Sequence, residues 1–269
     1  MEKKSTIISL IVLAIILAII VILIFAMGII PSKYNYVQIE VNPKVEFICD
    51  KHYKVVSCNP LNSDAEIVIS DVNLIGMPID KASQLFLNEC AKTGYLDING
   101  IDNAVNITII DGITQALDSR VTEGVYNYFK ENEIMGVVVE NYEDRKMFDE
   151  KKENDICCVN KYKLLKTMSE QSSYGTFEDL KTKSEVDLVE MIANKHKESP
   201  FTPTNELVAK KQQLIDDNAN KYNKHKNAIT NSSKQEFLTL FDKFQKLSGK
   251  KYFNNFSKEY NTWLEKKNV

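Results

Sequence analysis

Asn42-Pro43 is the pair of residues in this chain with chemistry out of the ordinary. An asparagine is usually attacked at its side chain by the next backbone nitrogen, but proline carries no N–H and closes that route. What remains is attack by the Asn42 side-chain amide nitrogen on its own main-chain carbonyl. That closes a succinimide and expels Pro43 as a new N-terminal amine, which cuts the chain. An unstrained peptide does this slowly, so a fold must twist the amide or hold a near-attack geometry. Two letters alone are also a turn dipeptide. Here, however, they interrupt Tyr36-Val-Gln-Ile-Glu-Val-Asn-Pro-Lys-Val-Glu-Phe47, an alternating strand pattern in which proline removes a ladder donor. Glu40 and Glu46 flank the bond as candidate polarising neighbours.

Other chemistry is hard to find. The sequence holds no phosphate-cradling glycine loop, no HExxH, no GxSxG and no CxxC pair. His52, His196 and His225 stand far apart and read as solvated surface side chains. No nucleophile, base and orienter converge on sequence grounds, so an enzyme acting on other molecules is not expected, and neither a cofactor nor a metal is implied.

The elements around the bond read clearly. Tyr36–Val41 and Lys44–Cys49 are strands, with Lys54–Asn59 a hairpin partner. Asn62-Ser-Asp64 signals the cap of a short helix reaching about Val72. Pro78 opens a longer helix with Ala82, Leu85, Phe86 and Cys90 at helical spacing, and Gly94 ends it. Ala104–Ile110 and Met135–Glu140 are further strands, separated by a helix over 114–132. Alternating strands and helices predict an α/β domain, α+β-like, with helices packed on a small sheet over 34–145. From Asn160 the pattern is helical only, over 160–170, 176–182 and 184–197. Thr176-Phe-Glu-Asp179 and Ser184-Glu-Val-Asp187 there have the form of capping boxes, with Asp for Glu. A linker at 198–204 leads to a tail, 205–269, that reads as all-helical.

Ile7–Ile30 is apolar except for Ser9 and Gly28 and carries no charge. At about 1.5 Å per helical residue it reaches on the order of 36 Å, enough to cross a ~30 Å hydrocarbon core. A secretory signal has a much shorter apolar region, so the run is expected to be a permanent transmembrane anchor in the cell membrane. Lys3 and Lys4 on one side against Lys33 on the other put the N-terminus in the cytoplasm, with Met1–Thr6 as a stub and the bulk extracytoplasmic.

Charge is unevenly placed. The chain is −3 overall, with +2 over residues 1–33, −11 over 34–204 and +6 over 205–269. An acidic domain offers nothing to nucleic acid. The basic tail is expected either to meet an anionic cell-envelope polymer or lipid surface, or to be a solvated helical hairpin kept soluble by its lysines. Five cysteines without regular spacing are not a disulfide framework. With a turn over 50–53, Cys49 is expected opposite Lys54 and Cys58 opposite Val45, so the two do not pair. The adjacent Cys157-Cys158 has no metal-ligand spacing and stays unassigned.

The segment around Asn42, then Val55-Val-Ser-Cys-Asn-Pro-Leu-Asn-Ser-Asp-Ala65, Ile75-Gly-Met-Pro-Ile-Asp-Lys-Ala82 and Lys92-Thr-Gly-Tyr-Leu96, resembles the extracytoplasmic middle domain of RsgI-type anti-sigma factors. Lys161-Tyr-Lys-Leu-Leu165 and Tyr174-Gly-Thr-Phe-Glu-Asp-Leu180 resemble the helical segment that follows it. The resemblance implies self-cleavage between Asn42 and Pro43, after which the pieces stay together until a signal separates them and intramembrane proteolysis releases the sigma factor. The family pattern has Asp and Ser where this chain has Glu40 and Lys44, so the carboxylate is kept and the hydroxyl is not. Family members also carry a sigma-binding domain before the anchor, where this chain has only its stub. A sigma factor is therefore expected as a partner only if an upstream domain precedes this chain. The alternative is a membrane-anchored binding or structural module with no sigma-factor role.

Overall fold

The computed structural model describes residues 12–19, 33–111, 116–140, 145–156, 158–171, 173–247 and 250–267. The chain divides into two units, Met1–Ser32 and Lys33–Val269. Most of the expected anchor lies outside the described residues. Within it, residues 12–19 are helical (α1), with Val12, Leu13, Ile15, Ile16, Leu17 and Ile19 about half exposed. Among the described residues no helix is long and apolar enough to cross a membrane.

The larger unit is built on a five-stranded sheet: β1 (Asn35–Glu40), β2 (Lys44–Cys49), β3 (Val55–Pro60), β4 (Asn103–Ile110) and β5 (Gly136–Glu140). Their order across the sheet is β3-β2-β1-β4-β5, so the first strand is the central one. β1 pairs antiparallel with both β2 and β4, β2 pairs antiparallel with β3, and β4 runs parallel to β5. A slip between Ile48 and Cys49 sets Cys49 opposite Val55 and Cys58 opposite Phe47. The simple hairpin register expected for the two cysteines is corrected by that irregularity. Among the described residues no disulfide joins Cys49, Cys58, Cys90 or Cys158, and Cys157 lies outside them.

Odd positions of β1, Val37 and Ile39, face the first core with Phe47, Val105 and Ile107. Helices α2 (Ser63–Val68), α3 (Ile79–Lys92) and α4 (Ala116–Glu131) cover it. α3 and α4 lie close because residue 124 is glycine: a Cβ there would sit 2.9 Å from the Asp80 carbonyl oxygen. Gly94, at φ +84, follows the end of α3, as its freedom to turn left-handed allows.

Tyr36 and Gln38, at even positions of β1, do not face water. Tyr36, with Ile48 and Ile110, lies under α6 (Val159–Glu170), α7 (Phe177–Lys181) and α8 (Glu185–Glu198). Helices therefore cover both faces of the sheet. α5 (Arg145–Glu153) precedes these helices and was not expected. Both capping boxes form: Thr176 and Ser184 each accept from the backbone N–H three residues on, and Asp179 and Asp187 return the bond. They form because such a box needs only local geometry.

The C-terminal stretch makes three helices, α9 (Asn205–Ala228), α10 (Asn231–Gln245) and α11 (Lys250–Lys267). Their apolar stripe, Phe237, Leu240, Phe241, Phe244, Phe256, Tyr260 and Trp263, joins the first core. Several basic groups meet the acidic domain: Lys221 pairs with Asp97 at 2.6 Å, Lys267 with buried Glu133 at 2.5 Å, and Lys211 with Asp71 and Glu89. The opposite charges read along the sequence are thus partly matched within the fold.

The histidines correct their sequence reading. His52 is exposed, but His196 and His225 are buried. His225 on α9 donates Nε2–H to the Asn132 carbonyl at 2.7 Å. Burial pushes its pKa down to about 4, aided by repulsion from Lys267, Lys226 and Lys221 and opposed by the bond to Asn132. The unfolded chain takes up that proton near pH 6.5 and the folded chain does not until about 4. The contribution is whole above pH 6.5 and is lost as pH falls through this window, by about 3 kcal/mol when complete. The urea midpoint of the wild type should therefore fall more between pH 7 and 4.5 than that of His225→Gln; equal slopes would contradict the assignment.

Candidate functional site

β1 and β2 are joined by three residues, Val41-Asn42-Pro43, after the Glu40–Lys44 pair. The Val41 N–H donates to the Pro43 carbonyl at 3.0 Å, closing the turn on itself. Asn42 sits at φ +120 and is exposed, whereas Pro43 is buried. That φ lies beyond the left-handed helical region asparagine ordinarily visits, and a residue before proline is normally held near φ −120°. Such a conformation costs on the order of 1–3 kcal/mol and persists only where surrounding contacts impose it.

The imposing contacts come from α2. Asn62 caps that helix, its Oδ1 accepting from Ala65 N at 2.9 Å. The same Oδ1 accepts from the Lys44 backbone N–H at 3.1 Å, and its Nδ2 donates to the Asn42 carbonyl oxygen at 2.6 Å. The Leu61 N–H donates to the Lys44 carbonyl at 2.8 Å beside them. Sequence reasoning saw in Asn62 only a helix cap. Its second role has no local signal, since the partners lie 18 and 20 residues away.

The two flanking carboxylates are placed differently. Glu46 is buried, 2.8 Å from His196 Nε2 and 3.2 Å from the Tyr36 hydroxyl, on the face covered by α8. Glu40 lines a shallow cleft with Lys44, Asn106, Lys163, Lys166 and Glu170. Neither is a hydrogen-bond partner of Asn42 among the described contacts. Lys44, where the family pattern has a hydroxyl, joins the turn through its backbone N–H, which any side chain would leave in place.

A second polar group was invisible in the sequence. Ser57 Oγ lies 2.7 Å from His196 Nδ1, and His196 Nε2 lies 2.8 Å from Glu46. Tyr36 bonds both Glu46 and Gln38, and Thr167 donates to Gln38 at 3.3 Å. Burial, with the Glu46 charge beside it, pushes the Tyr36 phenol well above its usual pKa. A hydroxyl, an imidazole and a carboxylate do therefore line up in this fold, against the expectation that none converge. Each group in the row satisfies another, and together they fasten α6 and α8 to β1, β2 and β3. A cleft of about 570 Å³ opens beside Ser57 and His196, walled by Ile69, Leu74 and Phe201.

Residues 34–167 match the family described as the anti-sigma factor RsgI-like central domain. The chain is also similar to three curated proteins of Acetivibrio thermocellus. It is 22% identical to anti-sigma-I factor RsgI5 over 117 residues, which is 44% of this chain and 23% of the relative. It is 23% identical to anti-sigma-I factor RsgI9 over 179 residues, 63% of this chain and 25% of the relative. It is 32% identical to anti-sigma-I factor RsgI3 over 66 residues, 24% of this chain and 10% of the relative. The chain spans a quarter or less of the length of each.

Proposed function

Because residues 34–167 belong to the RsgI-like central-domain family of anti-sigma factors, we propose that this chain is a single-pass membrane signalling protein whose outer domain cuts itself at Asn42-Pro43. The uncharged run Ile7–Ile30 supports the anchor, and the lysines around it support a cytoplasmic N-terminus. The pathway served is sigma-factor control through regulated proteolysis. One observation carries the cleavage: an exposed, proline-preceding asparagine held at φ +120 in a three-residue turn.

The cut would leave β1 on one piece and the rest of the sheet on the other. β1 is flanked by ladders on both edges, and Tyr36, Val37 and Ile39 are fully buried. Each such side chain contributes about 1.5–3 kcal/mol, so the pieces stay together at rest. A pull along β1 loads only non-covalent contacts, which can give way where an amide would not.

Mass spectrometry of the purified full chain should find a fragment beginning at Pro43. Both pieces should elute together from gel filtration in buffer and separate in denaturant. A chain still intact after days of incubation would remove the cleavage reading and leave the alternative, a membrane-anchored module with no sigma-factor role.

A further inference from the structure

We propose that Asn62 is a catalytic residue of this self-cleavage, the donor that stabilises negative charge on the Asn42 carbonyl oxygen as the bond breaks. The inference rests on the cleavage reading above and adds a specific role for a residue 20 positions away.

The orientation of the Asn62 amide follows from its partners. Two backbone N–H groups, of Lys44 and Ala65, point at one side-chain atom, which must therefore be the oxygen. The other atom is the NH₂, and it faces a carbonyl oxygen that can only accept. The 2.6 Å contact is made to the carbonyl of the Asn42-Pro43 bond itself. The Val41 N–H of the same turn is given to the Pro43 carbonyl. Asn62 is held in turn by its capping bond to α2, so the donor is in place before reaction, as stabilisation of a developing oxyanion requires.

The step balances without a co-reactant. Asn42 Nδ2 forms a bond to the Asn42 main-chain carbon, and the carbonyl oxygen takes negative charge against the Asn62 Nδ2–H. The carbon–nitrogen bond to Pro43 then breaks. One proton leaves Nδ2 and ends on the Pro43 nitrogen, giving a C-terminal succinimide and a secondary amine. Residue 62 also explains how the reaction can proceed with Lys44 in the place of a hydroxyl, because the activating contact comes from another element.

Asn62→Asp separates this role from capping. Asp caps a helix about as well as Asn, and it keeps an oxygen for Lys44 N–H and Ala65 N–H. It exchanges the donor for a carboxylate oxygen facing the Asn42 carbonyl. Asn62→Ser keeps a cap and cannot reach. Freshly synthesised full chain of each form would be followed by intact-mass time course, with circular dichroism as a check of folding. The wild type should cut, and both variants should be slower by about 10²–10³-fold, the usual effect of losing one oxyanion donor. Below about pH 4 the introduced carboxyl is protonated and becomes a donor. The rate of Asn62→Asp relative to wild type at the same pH should then rise, which lost folding would not produce. Wild-type speed in Asn62→Asp overturns the role of Asn62 and leaves the cleavage reading standing, as does a slow rate without recovery in acid. No fragment from the wild type overturns the reading itself.

Discussion

Asn42→Ala and Asn42→Gly should each yield no chain beginning at Pro43, however long the protein is kept. Both remove the attacking amide nitrogen, and no other residue in the turn carries one. The two variants should differ in stability, which makes the pair informative. Alanine at φ +120 bears the same backbone strain as asparagine or more, whereas glycine occupies that region freely. Asn42→Gly should therefore exceed an uncut alanine variant by about 1–3 kcal/mol in urea unfolding. Cleavage in either variant would show that the Asn42 side chain is not the nucleophile. Equal stabilities would show that strain at this turn is not what the fold maintains.

Lys211→Met should destabilise the fold sharply. Lys211 is 1% exposed, its ammonium bonded to Asp71 and 2.8 Å from Glu89 Oε2. Asp71 is half exposed and can turn to water, but Glu89 is 7% exposed and cannot. Glu89 would keep Lys92, at 2.8 Å, and the Asn88 amide, at 3.4 Å, both on Oε1, while Oε2 would lose its ammonium. Breaking a buried pair from one side costs about 3–5 kcal/mol, because the remaining charge loses its partner inside the protein. Adding Glu89→Gln to Lys211→Met should recover part of the loss. A double variant no better than the single one would place the cost elsewhere, in the packing of the Lys211 stem. Loss of this clamp would also loosen α9 from α2 and α3, and α2 is the helix that carries Asn62.

Much of the local structure could be read from residues a few positions apart. β2 has the expected bounds, Lys44–Cys49, because its alternation and its flanking turns are local. The capping boxes at Thr176 and Ser184 form as their three-residue spacing implies. β1 ends one residue early, at Glu40, because Val41 is drawn into the turn by its bond to Pro43. The helix expected from Asn62 to about Val72 stops at Val68.

The tail shows where such reading gives out. Residues 233–266 look like one helix-prone stretch, yet α10 ends at Gln245 and α11 begins at Lys250, so that both apolar stripes reach the same core. Net charge by segment was legible. Which lysine meets which acid was not, because ion pairs such as Lys221–Asp97 join positions 124 apart.

The bond with unusual chemistry was determined by sequence alone, since the missing proline N–H is a covalent fact. The polar face of the sheet shows the opposite case. Gln38, Glu46 and Thr108 sit at alternating positions that would suit water, and are buried because α6 and α8 lie over them. His196 was read as solvated for the same reason: its partners Ser57 and Glu46 are 139 and 150 residues away. Asn62 is the sharpest instance. Its type and place before Ser63 specify a cap from local chain geometry. That its free NH₂ lands on the Asn42 carbonyl follows only from how α2 docks against the β1–β2 turn, a tertiary contact that no local spacing encodes.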